Sequence, residues 1–197
     1  VVIRPYHVQL LVAYALGTGN TLATLPLALF PMEQGQFVLV LGFVLQNRIV
    51  DTSNLMGLLM DCASYASPAR LKQIEREALD ATLTLSDALL APLYPEVCAA
   101  TSTKPLPANF RAPLKSPTPI LFVTGSLDTR TPANNVLELL PGLPNAIHLQ
   151  IENTGHDSRE TESAEFQALL QRFLSGQVWP SQTLTLTPLP FRQQPPR

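Results

Sequence analysis

Two short loops hold the residue types from which an acid–base site can be built: GSLDTRTP, with Asp128, and NTGHDS, with His156. An aspartate beside an imidazole fixes the ring's tautomer and stabilises the imidazolium that forms when the other nitrogen takes a proton, so the histidine can act as a general base. Taken singly, neither residue says much. An Asp between a strand and a helix is ordinarily a turn or capping acceptor, and a Gly-His pair in a loop is ordinarily surface. Of the other histidines, His148 alternates within a strand-like run and His7 lies in an apolar helical stretch, so both read as structural. Glu152 and Asp157 are too close to His156 in sequence to orient its ring from across a site. Glu33, Asp61 and Glu75 are available to receive a substrate's free amino group, but solvated helix faces account for them. The sequence has no GxGxxG, no phosphate loop ending in Gly-Lys, no HExxH and no metal-ligand cluster, and it implies no cofactor.

The elements around the two loops decide whether Asp128 and His156 can meet. Residues 120–123, Ile-Leu-Phe-Val between Pro119 and Gly125, suit a strand buried on both faces, and AIHLQI at 146–151 suits a second. Between them Thr131 and Pro132 read as cap and first residue of a helix with Val136, Leu139 and Leu140 on its apolar side, ended by Pro141. After the histidine loop, Phe166, Leu169, Leu170, Phe173 and Leu174 fall on one helical stripe, with Gly176 where a C-cap belongs. Strand, helix, strand, helix implies a parallel sheet, and functional groups gather at the carboxyl ends of such strands. Asp128 and His156 each follow a strand by a few residues, so neighbouring strands would join two loops 28 positions apart.

Upstream, the pattern to about residue 100 is helical, with Ser67 and Pro68 as cap and first residue of a helix bearing Leu71, Ile74, Ala78 and Leu79. Prolines at 105, 107, 113, 117 and 119 mark an extended connection, which sets the expected division: a helical cap region with remnants of a preceding core at 1–112, a βαβα core part at 113–176 and an extended surface tail at 177–197. Hydrophobic residues make up 46% and charged ones 14%, which excludes disorder, and a net charge of -2 leaves no basic footprint for nucleic acid. Residues 5–32 carry no Asp, Glu, Lys or Arg, yet Gly17, Thr18, Gly19, Asn20, Thr21 and Pro26 interrupt them, so buried helices about a Gly-rich turn are expected rather than a membrane span. The run at 37–45 is too short for a span and reads as core. Cys62 and Cys98 fit no redox or zinc motif and leave two alternatives, a disulfide or two buried thiols.

The succession PILFVTGSLDTRTP, AIHLQIENTGHDS, FQALLQRFLSG resembles the end of the α/β-hydrolase fold, where strand, acid loop, helix, strand and histidine loop follow in that order. Within that fold it is most similar to the C-terminal region of tripeptidyl aminopeptidases and related proline-type peptidases. Their pattern G-x-x-D-x-x-T-P followed by G-H is present as Gly125, Asp128, Thr131, Pro132, Gly155 and His156. LPLALFPMEQGQF resembles the helical cap region of that group, and TLTLTPLPF its terminal extension. The resemblance implies that Asp128 and His156 are triad acid and base, that Cys62 and Cys98 are paired, that the location is extracytoplasmic or secreted, and that the substrate is a peptide or small ester, with exopeptidase action on short peptides. Ser163 and Ala164 stand where the family often has another cysteine, and Ala99 and Ala100 where a Trp commonly follows the second cysteine.

The nucleophile of this fold sits on a sharp turn written G-x-S-x-G. None of the nine glycines is followed by another four positions later. A chain that opens on Val1 leads to the expectation of a C-terminal fragment whose serine and N-terminal half lie upstream, inert alone. The alternative is a truncated or split subunit that acts by association through an open sheet edge, without catalysis.

Overall fold

The computed structural model describes residues 2–47, 55–80, 94–156 and 159–192, and within them the architecture is α/β. Three strands form one parallel sheet in the order β1-β2-β3: β1 is Ile120–Gly125, β2 is Ala146–Glu152 and β3 is Gln182–Thr185. In β1 and β2 the register runs from Ile120 opposite Ala146 to Gly125 opposite Ile151, so the two strands end level with one another. The helices are α1 (Pro5–Ala15), α2 (Gly19–Leu29), α3 (Val38–Asn47), α4 (Leu55–Ser64), α5 (Pro68–Asp80), α6 (Tyr94–Thr101), α7 (Ala133–Leu137) and α8 (Ala164–Leu174). No single helix among the described residues is long and apolar enough to cross a membrane.

Two units divide the chain. One comprises Val1–Leu11 with Phe37–Ala112, the other Val12–Gln36 with Pro113–Arg197. Residues 12–36 therefore fold with the sheet and not with the rest of 1–112. In the first unit α4 and α6 are tied by a disulfide between Cys62 and Cys98, whose Cα atoms are 5.2 Å apart. Leu106 N–H donates to Ala63 O at 2.8 Å, and the Arg111 side chain donates to the Ser64 and Tyr65 carbonyls at the end of α4. Ser67 caps α5 through the Arg70 N–H, as its place before Pro68 predicts. Within 37–45 a single stripe is buried: Val40 and Val44 lie inside while Val38 and Leu39 are exposed. An apolar run reads as core throughout, but a helix turns only one side inward.

The core of the second unit lies on one face of the sheet, where Ile147, Leu149 and Ile151 of β2 and Leu184 of β3 meet Phe166 and Leu169 of α8 and the ring of Trp179. Alternation along β2 puts these three on one side, and the helical stripe of α8 supplies the matching surface. Ser163 caps α8 by accepting from Phe166 N–H, and Gly176 follows its end at φ 76°, in the left-handed region that glycine enters without strain.

Two expectations are corrected. The segment from 177 is more than a surface tail, since it contributes β3 and buries Trp179 and Leu184. Threonine and leucine alternate there with period two, which lets Leu184 face the core while Thr183 and Thr185 face away. The helix at 131–141 is only the five residues of α7, preceded by Pro132 with no side-chain cap. The Thr131 hydroxyl, expected as that cap, is engaged elsewhere.

Candidate active site

Because β1 and β2 are adjacent, parallel and level, the loops leaving their carboxyl ends run side by side. Ser126 N–H donates to Ile151 O and Leu127 N–H to Thr154 O, both at 2.9 Å, while Asn153 N–H donates to the Ser126 hydroxyl at 3.1 Å. Gly125 makes this closeness possible, since a Cβ there would collide with the Thr154 and Gly155 carbonyl oxygens. The signal for that glycine was legible as a strand terminator; its packing role was not.

The two candidate residues meet across these loops. His156 Nδ1 lies 3.0 Å from Asp128 Oδ2, with the Asp128 side chain 6% exposed and that of His156 36%. Thr131 joins them: its hydroxyl donates to Asp128 Oδ2 at 2.6 Å and its oxygen lies 3.1 Å from His156 Nδ1. A proton on Nδ1 satisfies both acceptors, and this tautomer leaves Nε2 as the basic nitrogen. Arg130 and Thr131 N–H both donate to Asp128 Oδ1 at 2.9 Å. Burial alone pushes the Asp128 pKa up, but the hydrogen bonds from Thr131, His156 and Arg130 outweigh it and hold the carboxyl below the ordinary aspartate value. Asp128 is thus a carboxylate, saturated on one oxygen by the backbone of its own turn and turned with the other towards the ring.

Asp128, Thr131, Thr154, Gly155 and His156 are among the residues that line a cavity of about 150 Å³. Thr154 is 2% exposed, and its hydroxyl has no hydrogen-bond partner among the described residues. Residues 88–183, which include both loops, match the family model described as TAP-like protein. This segment, a little under half of the chain, is similar to the TAP-like α/β-hydrolases. No curated protein and no solved structure matches the chain.

His148 is buried on β2 with Nε2 2.8 Å from the Thr124 hydroxyl, and burial lowers its pKa. His7 is buried in α1 and accepts from Arg4 N–H. Asp61 and Glu75 belong to the first unit, while Glu33 follows α2 in the second, and Asp157 is outside the described residues. Among the described residues no cluster of three or more His, Cys, Asp or Glu is arranged to hold a metal ion. Sequence reasoning missed two contributors. Thr131 was read as a helix cap, although its place in the D-x-x-T-P pattern is signal enough. The turn at 16–19, which touches the histidine loop, carried no signal beyond its glycines.

Proposed function

We propose that Asp128 and His156 are the acid and base of a serine-hydrolase site of exopeptidase type, with short peptides that carry a free amino terminus as the substrate class. The single observation that carries this reading is the 3.0 Å contact between Asp128 Oδ2 and His156 Nδ1, made at the carboxyl ends of adjacent parallel strands. The match of residues 88–183 to the TAP-like family supports the acyl-transfer chemistry, and the likeness to tripeptidyl aminopeptidases supports the substrate class. In a full site His156 Nε2 would take the nucleophile's proton and return it to the leaving amine, while Asp128 holds the ring. The 197 residues hold no G-x-S-x-G, so the chain as it stands forms no acyl-enzyme. The disulfide between Cys62 and Cys98 supports an extracytoplasmic location.

Nuclear magnetic resonance of the His156 ring tests both halves of this reading. The expected spectrum has a far-downfield Nδ1 proton that disappears in Asp128→Asn, and ring resonances that move on addition of millimolar tripeptides. A ring indifferent to Asp128→Asn would end the acid–base pair, and a ring indifferent to every peptide but moved by small esters would end the peptidase reading.

A second reading rests on β1, which among the described residues pairs in the sheet with β2 alone and so offers an open edge. Under it the chain acts by association with another polypeptide along that edge. A sedimentation coefficient independent of concentration, and unchanged by candidate partners, would exclude it.

A further inference from the structure

At the other end of the sheet from Asp128 and His156 lies a larger cavity, of about 690 Å³. Pro119, Ala146 and Ser181, which stand at the amino ends of β1, β2 and β3, are among the residues that line it, so it lies where the three parallel strands begin. Phe173 of α8 and residues 176–180 after that helix line it as well. All of these belong to the second unit, which builds the cavity by itself.

Pro119, Pro144 and Pro180 are exposed and Val178 is 81% exposed, so apolar surface meets solvent around a cavity that also reaches the buried Ile147 and Trp179. Among the described residues no Asp, Glu, Lys, Arg or His lines it. The polar groups that do line it are mostly donors. Ser181 Oγ accepts from His148 N–H at 2.9 Å, which leaves its hydroxyl proton uncommitted among the described residues. Gln177 Oε1 accepts from Arg172 Nε–H at 3.2 Å, which leaves its amide N–H groups. Trp179 Nε1–H has no acceptor among the described residues, although Phe173 meets the ring edge-on at 6.3 Å and the Arg172 guanidinium lies 5.1 Å over it. A buried indole N–H ordinarily finds a partner. Asn145 leaves an acceptor, because its Nδ2 donates to Pro117 O at 2.6 Å and Oδ1 stays uncommitted.

We propose that this cavity is a binding site for a small uncharged molecule with an apolar body and a carbonyl oxygen, of the ester, ketone or tertiary-amide class. Each part of that description has a counterpart in the lining. An apolar body removes proline, valine and phenylalanine surface from water, which is the favourable contribution. A charged ligand would give up its hydration with no opposite charge to meet it. A carbonyl accepts without donating, and so matches spare side-chain groups in which donors outnumber acceptors three to one. Small-molecule pockets commonly enclose roughly 300–1,000 Å³ and combine apolar walls with a few polar groups, and this cavity does both. Such binding needs neither Asp128 nor His156, so it stands or falls apart from the acid–base pair.

Trp179 is the only tryptophan of the chain and reports on the cavity it lines. Three probes of similar size separate the contributions: N,N-dimethylbenzamide carries the carbonyl, toluene lacks an acceptor and benzoate is charged. Titration of the full chain with N,N-dimethylbenzamide is expected to change Trp179 fluorescence saturably, with a Kd of about 1 mM for so small a molecule. The same titration should move the backbone amides of Asn145, Ala146 and residues 176–179 while the His156 Nδ1 proton stays. Toluene and benzoate should bind about tenfold more weakly or worse. Ala146→Leu, which fills part of the cavity, should weaken N,N-dimethylbenzamide by about tenfold or more. Gln177→Ala, made at an exposed position, removes one donor and should weaken it about threefold. Saturable binding in this order, reduced by the variants, supports the proposal. Absence of saturation, shifts confined to other residues, equal affinity for the three probes, or a Kd that neither variant changes overturns it.

Discussion

At Asp128, burial and hydrogen bonding pull the carboxyl in opposite directions, and the bonds win. Thr131 is the side chain that decides this, because it gives Asp128 both a backbone N–H and a hydroxyl, on different oxygens. An aspartate with its folded pKa depressed contributes stability that is full above the unfolded value, about 3.9, and is lost as the pH falls through the folded value. Thr131→Val removes the hydroxyl and keeps the N–H, so the folded pKa should rise towards the unfolded one. The expected result is a higher Asp128 midpoint in a carboxyl-carbon titration, together with a smaller loss of unfolding free energy between about pH 5 and pH 2 than in the wild type. Equal acid losses in the two proteins would show that the hydroxyl does not hold the carboxylate. The same variant leaves His156 Nδ1 with Asp128 Oδ2 as its one acceptor, so the tautomer should persist.

The second strand carries one titratable group in its interior. His148 of β2 is 6% exposed, with Nε2 2.8 Å from the Thr124 hydroxyl and its own N–H donating to the Ser181 hydroxyl at 2.9 Å. Desolvation lowers its pKa from 6.5, so folding favours the neutral ring. The sign follows: the contribution is full above the unfolded pKa and is lost as the pH falls from about 6.5 through the folded value. Urea unfolding at pH 7.5 and pH 5 should show a larger drop for wild type than for His148→Gln, which keeps a hydrogen-bonding group but does not titrate. Identical drops would place the acid-sensitive group elsewhere. This strand also shows what sequence can and cannot disclose. Its apolar alternation, the bracketing of β1 by Pro119 and Gly125, and the stripe of α8 with Gly176 at its end are local patterns, and each was legible. β3 was not, because a four-residue strand in a proline-rich tail becomes a strand only when β2 offers it an edge. The meeting of Asp128 with His156 was inferable from strand order; the approach of the turn at 16–19 was not, since more than a hundred residues separate it from the loop it touches.

Across the whole molecule, the covalent constraint and the site lie in different units. The disulfide ties α4 to α6 in the first, its cysteines 36 positions apart, whereas the Asp128–His156 pair and the sheet belong to the second. A cross-link acts chiefly by restricting the unfolded chain, and a loop of this length is worth about 4 kcal/mol in the chain-entropy account. That stabilisation applies to the unit whose unfolding would open the loop. The core of Ile147, Leu149, Ile151, Phe166 and Leu169 contains neither cysteine and should not depend on the bond. Reduction, or the double variant Cys62→Ala/Cys98→Ala, is therefore expected to have a divided effect in hydrogen exchange. Amides of α4 and α6 should lose protection by about two orders of magnitude or more. Those in the β1–β2 ladder should keep theirs, and the His156 Nδ1 proton should survive. Loss of protection spread evenly over both units would mean that they unfold as one cooperative body, with the disulfide stabilising the site as well. Unchanged protection in α4 and α6 would mean that packing alone holds the first unit, and the bond would then bear only on the oxidising compartment in which it forms.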